Sequence, residues 1–98
     1  MPKYLMLWEC DNSRVPVDAK ERATGWTALM NAVKKDLADG VAKDWGVFVG
    51  ENSGYFIVEG NDVEISLRMQ QYVPFVVFKT YPIAGVSQVD KIHKAMLK

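Results

Sequence analysis

The chain has 98 residues, 49% hydrophobic and 24% charged, which fits one ordinary folded domain over residues 1–98 and excludes a disordered or fibrous polymer. Twelve Lys plus Arg balance twelve Asp plus Glu, so no net positive field draws it to a polyanion, and nucleic acid is disfavoured as a partner. The apolar run over residues 4–8 is too short for a signal-peptide core or a membrane span, and the single Cys10 cannot close an intrachain disulfide, so a cytoplasmic protein with no membrane partner is expected.

Residues 3–10, KYLMLWEC, place Tyr4, Met6, Trp8 and Cys10 on one face and Leu5 and Leu7 on the other, the pattern of an internal strand. Turn-forming Asp11, Asn12, Ser13 and Pro16 follow, and Asp18 with Glu21 three residues later predicts a capping box at the start of a helix. The apolar stripe of that helix is expected at Ala23, Trp26, Met30, Val33 and Leu37, widened by Leu29. Lys34, Lys35, Asp36 and Asp39 then face water, and Gly40 ends the helix. Strands around residues 47–49 and 55–58, joined by a loop at residues 51–54, predict a hairpin. Residues 63–70, VEISLRMQ, alternate as a strand would. Asn61 with Glu64 forms another capping box, however, and Leu67, Arg68, Met69 and Gln70 are good helix formers, so a helix is predicted. Pro74 leads into the last strand, with Phe75, Val77 and Tyr81 on one face and Val76 and Phe78 on the other. Ser87 with Asp90 is expected to cap a terminal helix whose stripe is Val89, Ile92 and Met96, with Val86 and Leu97 at its margins.

The order β-α-β-β-α-β plus a C-terminal helix predicts an α+β, ferredoxin-like subunit with a four-stranded antiparallel sheet. Two helices cover only one face of such a sheet, yet all four strands carry large apolar residues on both. The expected remedy is a homodimer packing sheet on sheet, with Val76 and Phe78 as candidates for the dimer face.

The segments YLMLWEC, WGVFVG, GYFIVEG and NDVEISLRMQQYVPFVVFKTYPI, joined by the long first helix, resemble small single-domain members of the dimeric α/β-barrel superfamily. Among them the chain is most similar to a group of short prokaryotic proteins of unassigned role, over most of its length to about Ile83. The resemblance implies a sheet-to-sheet homodimer of the dimeric α/β-barrel type. Enzymes of the superfamily include cofactor-independent monooxygenases and muconolactone-type isomerases, so fold transfers better than function.

Trp8, Trp26, Met30, Trp45 and Tyr72 are large, adaptable groups that can line an apolar ligand cleft between helices and sheet, or serve only as core. Glu9, Asp11, Asn12 and Arg14 can supply its polar end. Cys10 is expected to pack as a thiol, because the only histidine, His93, has no spacing that links the two as nucleophile and base. His93 and Asp90 share one helix face, too few ligands for a metal, and no cofactor is expected. SGYFIVEG is distantly similar to the third-strand signature of RNA-recognition domains. The match fails at Ser53, Phe56 and Ile57. The functional expectation is a homodimer binding a small apolar molecule, with a cofactor-independent monooxygenase or isomerase as the alternative.

Overall fold

Alternation over residues 3–10 produces the strand β1 (Lys3–Cys10), which buries Met6 and Trp8 and leaves Leu5 and Leu7 half-buried on the opposite face. In the computed structural model, which describes residues 2–98, it is followed by the helix α1 (Ala19–Ala38) and the hairpin strands β2 (Ala42–Val47) and β3 (Ser53–Glu59). The helix α2 (Asp62–Met69), the strand β4 (Val76–Ile83) and the helix α3 (Val86–Met96) complete the chain. The fold is α+β: the four strands form one antiparallel sheet in the order β2-β3-β1-β4. Val33 of α1, Ile65 and Met69 of α2, and Tyr72 cover one face, packing on Met6, Trp8, Phe56, Val58 and Val76.

The predicted N-cap residues start both covering helices, with the N-cap half of each expected capping box formed and no return bond from Glu21 or Glu64 among the described residues. The Asp18 carboxylate accepts from the Glu21 backbone N–H at 3.1 Å, and the Asn61 side chain accepts from that of Glu64 at 2.9 Å. Residues 63–70 are thus helical despite their alternation, because only Ile65 and Met69, one turn apart, are buried. Gly40, just beyond the last turn of α1, has φ of +79°, a conformation costly for any side chain.

Four expectations shift. The hairpin begins earlier than predicted: β2 ends at Val47, and Phe48 and Val49 belong to the turn, with Val49 fully exposed. The cause is a pair of glycines at close approaches, since a Cβ on Gly54 would lie 2.8 Å from the Trp8 ring and one on Gly46 would lie 2.5 Å from the Tyr55 ring. That pins the pairing of Gly46 with Tyr55 and Val47 with Gly54. The stripe of α1 is rotated as well: Asp36 is fully buried, whereas Ala23 and Leu37 are exposed. On the last helix Ser87 lies inside the first turn, and the side-chain oxygen of Gln88 instead accepts from the Gly85 N–H at 2.6 Å.

The fourth correction concerns the dimer-face candidates. Val76 is buried and Phe78 packs edge-on against Tyr72, so both lie on the helix-covered face. Register explains it: Val76 is paired with Cys10 and Phe78 with Trp8, and directly opposed residues share a face. Val77 and Tyr81, 60% and 49% exposed, occupy the open face.

The apolar stripe of α3, Val86, Val89, Ile92 and Met96, is exposed throughout. The radius of gyration, 16.1 Å, exceeds the roughly 13 Å of a compact domain of this size, and the longest dimension reaches 61 Å. The terminal helix stands off the body. Among the described residues no helix is long and apolar enough to cross a membrane.

Candidate functional site

The inward face of α1 carries Arg22, Gly25, Ala28, Leu29 and Ala32 at steps of three and four. Three of these five have no side chain or a single methyl, so the helix surface is hollow where it passes over one end of the sheet. The opposite wall comes from Cys10, where β1 ends, and from Phe75 and Val76, where β4 begins. Between them lies a cleft of about 360 Å³, near the lower end of the ~300–1,000 Å³ range of small-molecule sites. Trp26 and Tyr72 supply its aromatic surface.

Tyr72 is fixed by a carboxylate. The fully buried Asp36 accepts hydrogen bonds from the Tyr72 hydroxyl at 2.7 Å, the Gln71 amide at 2.9 Å and the Arg68 guanidinium at 2.9 Å. Arg68 also reaches Asp39 at 3.0 Å, and this bond holds the Asp39 carboxyl below its usual range. Burial, followed by the bond to Asp36, pushes the Tyr72 phenol far above its ordinary value, so it stays a neutral donor. Its ring meets Phe56 and Phe78 edge-on, each at 6.0 Å. One buried charge thus ties α1 to the turn after α2 and orients part of the cleft wall.

The rim is polar. Asp11 accepts from the Ser13 hydroxyl and backbone N–H and pairs with Arg14 at 3.4 Å; the Ser13 bonds are the main reason its carboxyl lies below the ordinary range. Arg22, half-buried on the other side, donates from one terminal nitrogen to the Pro16 carbonyl at 3.2 Å and to that of Val17. Among the described residues no carboxylate pairs with it. The Cys10 thiol is pushed up by burial and then by Glu9, which keeps it protonated and a poor nucleophile at neutral pH.

Of the five aromatic and methionine candidates, the structure brings Trp26 and Tyr72 into the cleft wall. Trp8 and Trp45 stack on each other at 5.4 Å, and Trp8 meets the edge of Trp26 at 6.2 Å, so they back the cleft wall without lining it. Met30 faces a separate shallow hollow with Ala23 and Thr27. Asp11 and Arg14 join the rim, whereas Glu9 and Asn12 do not. Cys10 and Val76 line the wall, a place the sequence did not suggest for either. His93 lies exposed on α3, and among the described residues no three His, Cys, Asp or Glu side chains gather to hold a metal.

Sequence reading missed Arg22 and Asp36. Their spacing offered a signal: 22, 26, 29, 33 and 36 form one helical face as regular as the apolar stripe chosen instead. Comparison with protein-family models and with curated proteins returns no match for this chain.

Proposed function

We propose that the protein is a homodimer of ferredoxin-like subunits, of the dimeric α/β-barrel type, that binds a small, largely apolar molecule in the cleft beneath α1. The observation carrying the binding reading is the cleft itself. Its hollow arises because Gly25, Ala28 and Ala32 stand where larger residues would complete the core, while the wall beneath is held rigidly through Asp36 and Tyr72. Binding rather than turnover is the role we assign, because Cys10 is held protonated and the Tyr72 hydroxyl is committed to Asp36.

The subunit type is supported by the strand order, which matches the split β-α-β arrangement. The dimer rests on two surfaces of the same chain. Leu5, Leu7, Ile57, Val77 and Tyr81 give the open face of the sheet an apolar patch, interrupted by Lys79 opposite Leu7 and bordered by Glu9 and Asp44, and α3 presents an equally unpartnered stripe. Four strands of six to eight residues have a footprint on the order of 400 Å². The exposed stripe of α3 offers further apolar surface by which such a contact can be extended toward the roughly 800 Å² of accessible surface that each partner buries in a standard interface. A two-fold axis lets each chain supply both surfaces to the other, and a second copy is the occupant that matches both at once.

The cleft is tested by titrating Nile red, a neutral dye that brightens in apolar surroundings, into the protein and into Ala28→Trp, which fills the hollow from an exposed helix position. Saturable binding that the substitution abolishes is expected. Absence of saturable binding, or binding indifferent to the substitution, refutes the reading.

A further inference from the structure

We propose that the ligand is an amphipathic monocarboxylic acid whose ring or chain fills the cleft and whose carboxylate is held by Arg22. This rests on the cleft being a binding site and goes further by naming the polar end of what binds. Three observations carry it. Arg22 lines the cleft, is half-buried, and spends one terminal nitrogen on the carbonyls of Pro16 and Val17, while its other terminal nitrogen and Nε have no partner among the described residues. A guanidinium presents five N–H donors in a fixed fork suited to two carboxylate oxygens, so the free edge of the fork is complementary to a single acid group.

Charge around the rim fixes the number of negative charges. Of the two arginines lining the cleft, Arg14 is paired with Asp11 and contributes no surplus, whereas Arg22 has no carboxylate partner among the described residues. One unpaired cation at an apolar cleft is balanced by one anionic group. A half-buried cation loses solvation that its two carbonyl partners replace only in part, and a ligand carboxylate supplies the rest. The apolar end is bounded by Trp26, Leu29 and Phe75. At about 360 Å³ the space is large enough for a bicyclic aromatic acid or a medium-chain fatty acid.

The pair tethering Arg22 to the backbone also explains why it is already in place. Its bonds to the carbonyls of Pro16 and Val17 hold the guanidinium against the loop that precedes α1, so little side-chain freedom is lost when the acid arrives.

The test compares 1-naphthaleneacetate with its neutral isostere 1-naphthaleneacetamide by calorimetric titration at low and high salt, on the wild-type protein and on Arg22→Met and Arg22→Lys. A charge-assisted bond predicts that the acid binds about ten- to a hundredfold more tightly than the amide, with the difference shrinking in salt. Arg22→Met is expected to bring acid and amide to a common affinity, and Arg22→Lys to retain part of the difference. Binding of the amide by each variant shows that its cleft is still formed. Equal affinity of acid and amide for the wild-type protein overturns the carboxylate assignment and leaves the cleft reading standing. A preference for the acid that survives Arg22→Met overturns the role of Arg22. Binding of neither compound overturns the cleft reading together with this one.

Discussion

Replacing Asp36 with alanine isolates the charge on which the cleft wall depends. The carboxylate has three donors, and their fates after its removal differ. Gln71 is exposed and regains water, and Arg68, whose side chain is 34% exposed, keeps Asp39 as a partner. Tyr72 has neither recourse, being 4% exposed with its hydroxyl aimed into the gap. The orphaned hydroxyl costs about 1–3 kcal/mol. Losing the bonds from Arg68 and Gln71 costs about 1 kcal/mol each once the partial exposure of Arg68 is discounted. Removing the buried charge relieves a desolvation penalty that offsets part of this sum. A net loss of about 2–4 kcal/mol is expected for Asp36→Ala.

Tyr72→Phe removes one of the three donors and leaves the carboxylate with two, for a loss of about 1 kcal/mol. In the double variant no hydroxyl is orphaned, so its loss falls short of the sum of the singles by about 1–2 kcal/mol. Urea unfolding followed by far-UV circular dichroism, at one fixed protein concentration because the stability of the proposed dimer would depend on it, measures all three. Losses that simply add, or a loss below about 1 kcal/mol for Asp36→Ala, would refute the claim that Asp36 holds Tyr72.

The next three predictions use the same assay. Gly54→Ala is expected to cost about 2 kcal/mol or more, because the new methyl meets the backbone of Gly46 and the Trp8 ring; full tolerance would contradict the register. Gly25→Ala places a methyl where nothing lies within 4 Å, in a helix interior, and should stabilise by about 0.5–1 kcal/mol. The raised phenol of Tyr72 gives an alkaline signature. Its contribution is full below the ordinary tyrosine value of about 10 and falls as pH rises through it, since the unfolded chain then releases a proton that the folded chain retains. Tyr72→Phe should therefore lose less stability between pH ~9 and ~11 than the wild type, and parallel losses would count against burial of that phenol. Val77→Glu, on the open face, is expected to yield a folded monomer by sedimentation equilibrium, and Phe78→Glu, under the helices, an unfolded chain; the reverse outcome would invert the two faces.

How far the sequence could be read depended on whether a signal was local. Caps at Asp18 and Asn61 are contacts between residues three apart, and they placed both covering helices correctly even where alternation over residues 63–70 argued for a strand. The hairpin was shifted because its register depends on what the glycines touch across the sheet. Gly54 lies under the Trp8 ring, forty-six positions away, and Gly46 against that of Tyr55 on the facing strand, contacts made only once the strands are paired. Apolarity alone did not reveal that the strand should run through Gly46 and Gly54 rather than stop beside them. The face of β4 was equally hidden. Both faces of that strand are apolar, so alternation separates Val76 from Val77 without saying which one lies under the helices, and the pairing with β1 decides it.

The candidate site was harder to read because it breaks the rule by which cores are found. Hydropathy selects the most apolar stripe of α1, yet the face that packs against the sheet begins with Arg22, ends with Asp36 and has Gly25, Ala28 and Ala32 along its middle. Each departure has a structural counterpart. The buried acid at one end is satisfied by three donors from the end of α2 and the turn after it, the small residues leave space, and the basic residue at the other end, tethered to two carbonyls, has no carboxylate partner among the described residues. A helix selected only for packing would fill this face with leucine and valine and close the hollow. The glycine lowers helix propensity and the two alanines forgo buried area, and these costs are what the proposed ligand site would account for.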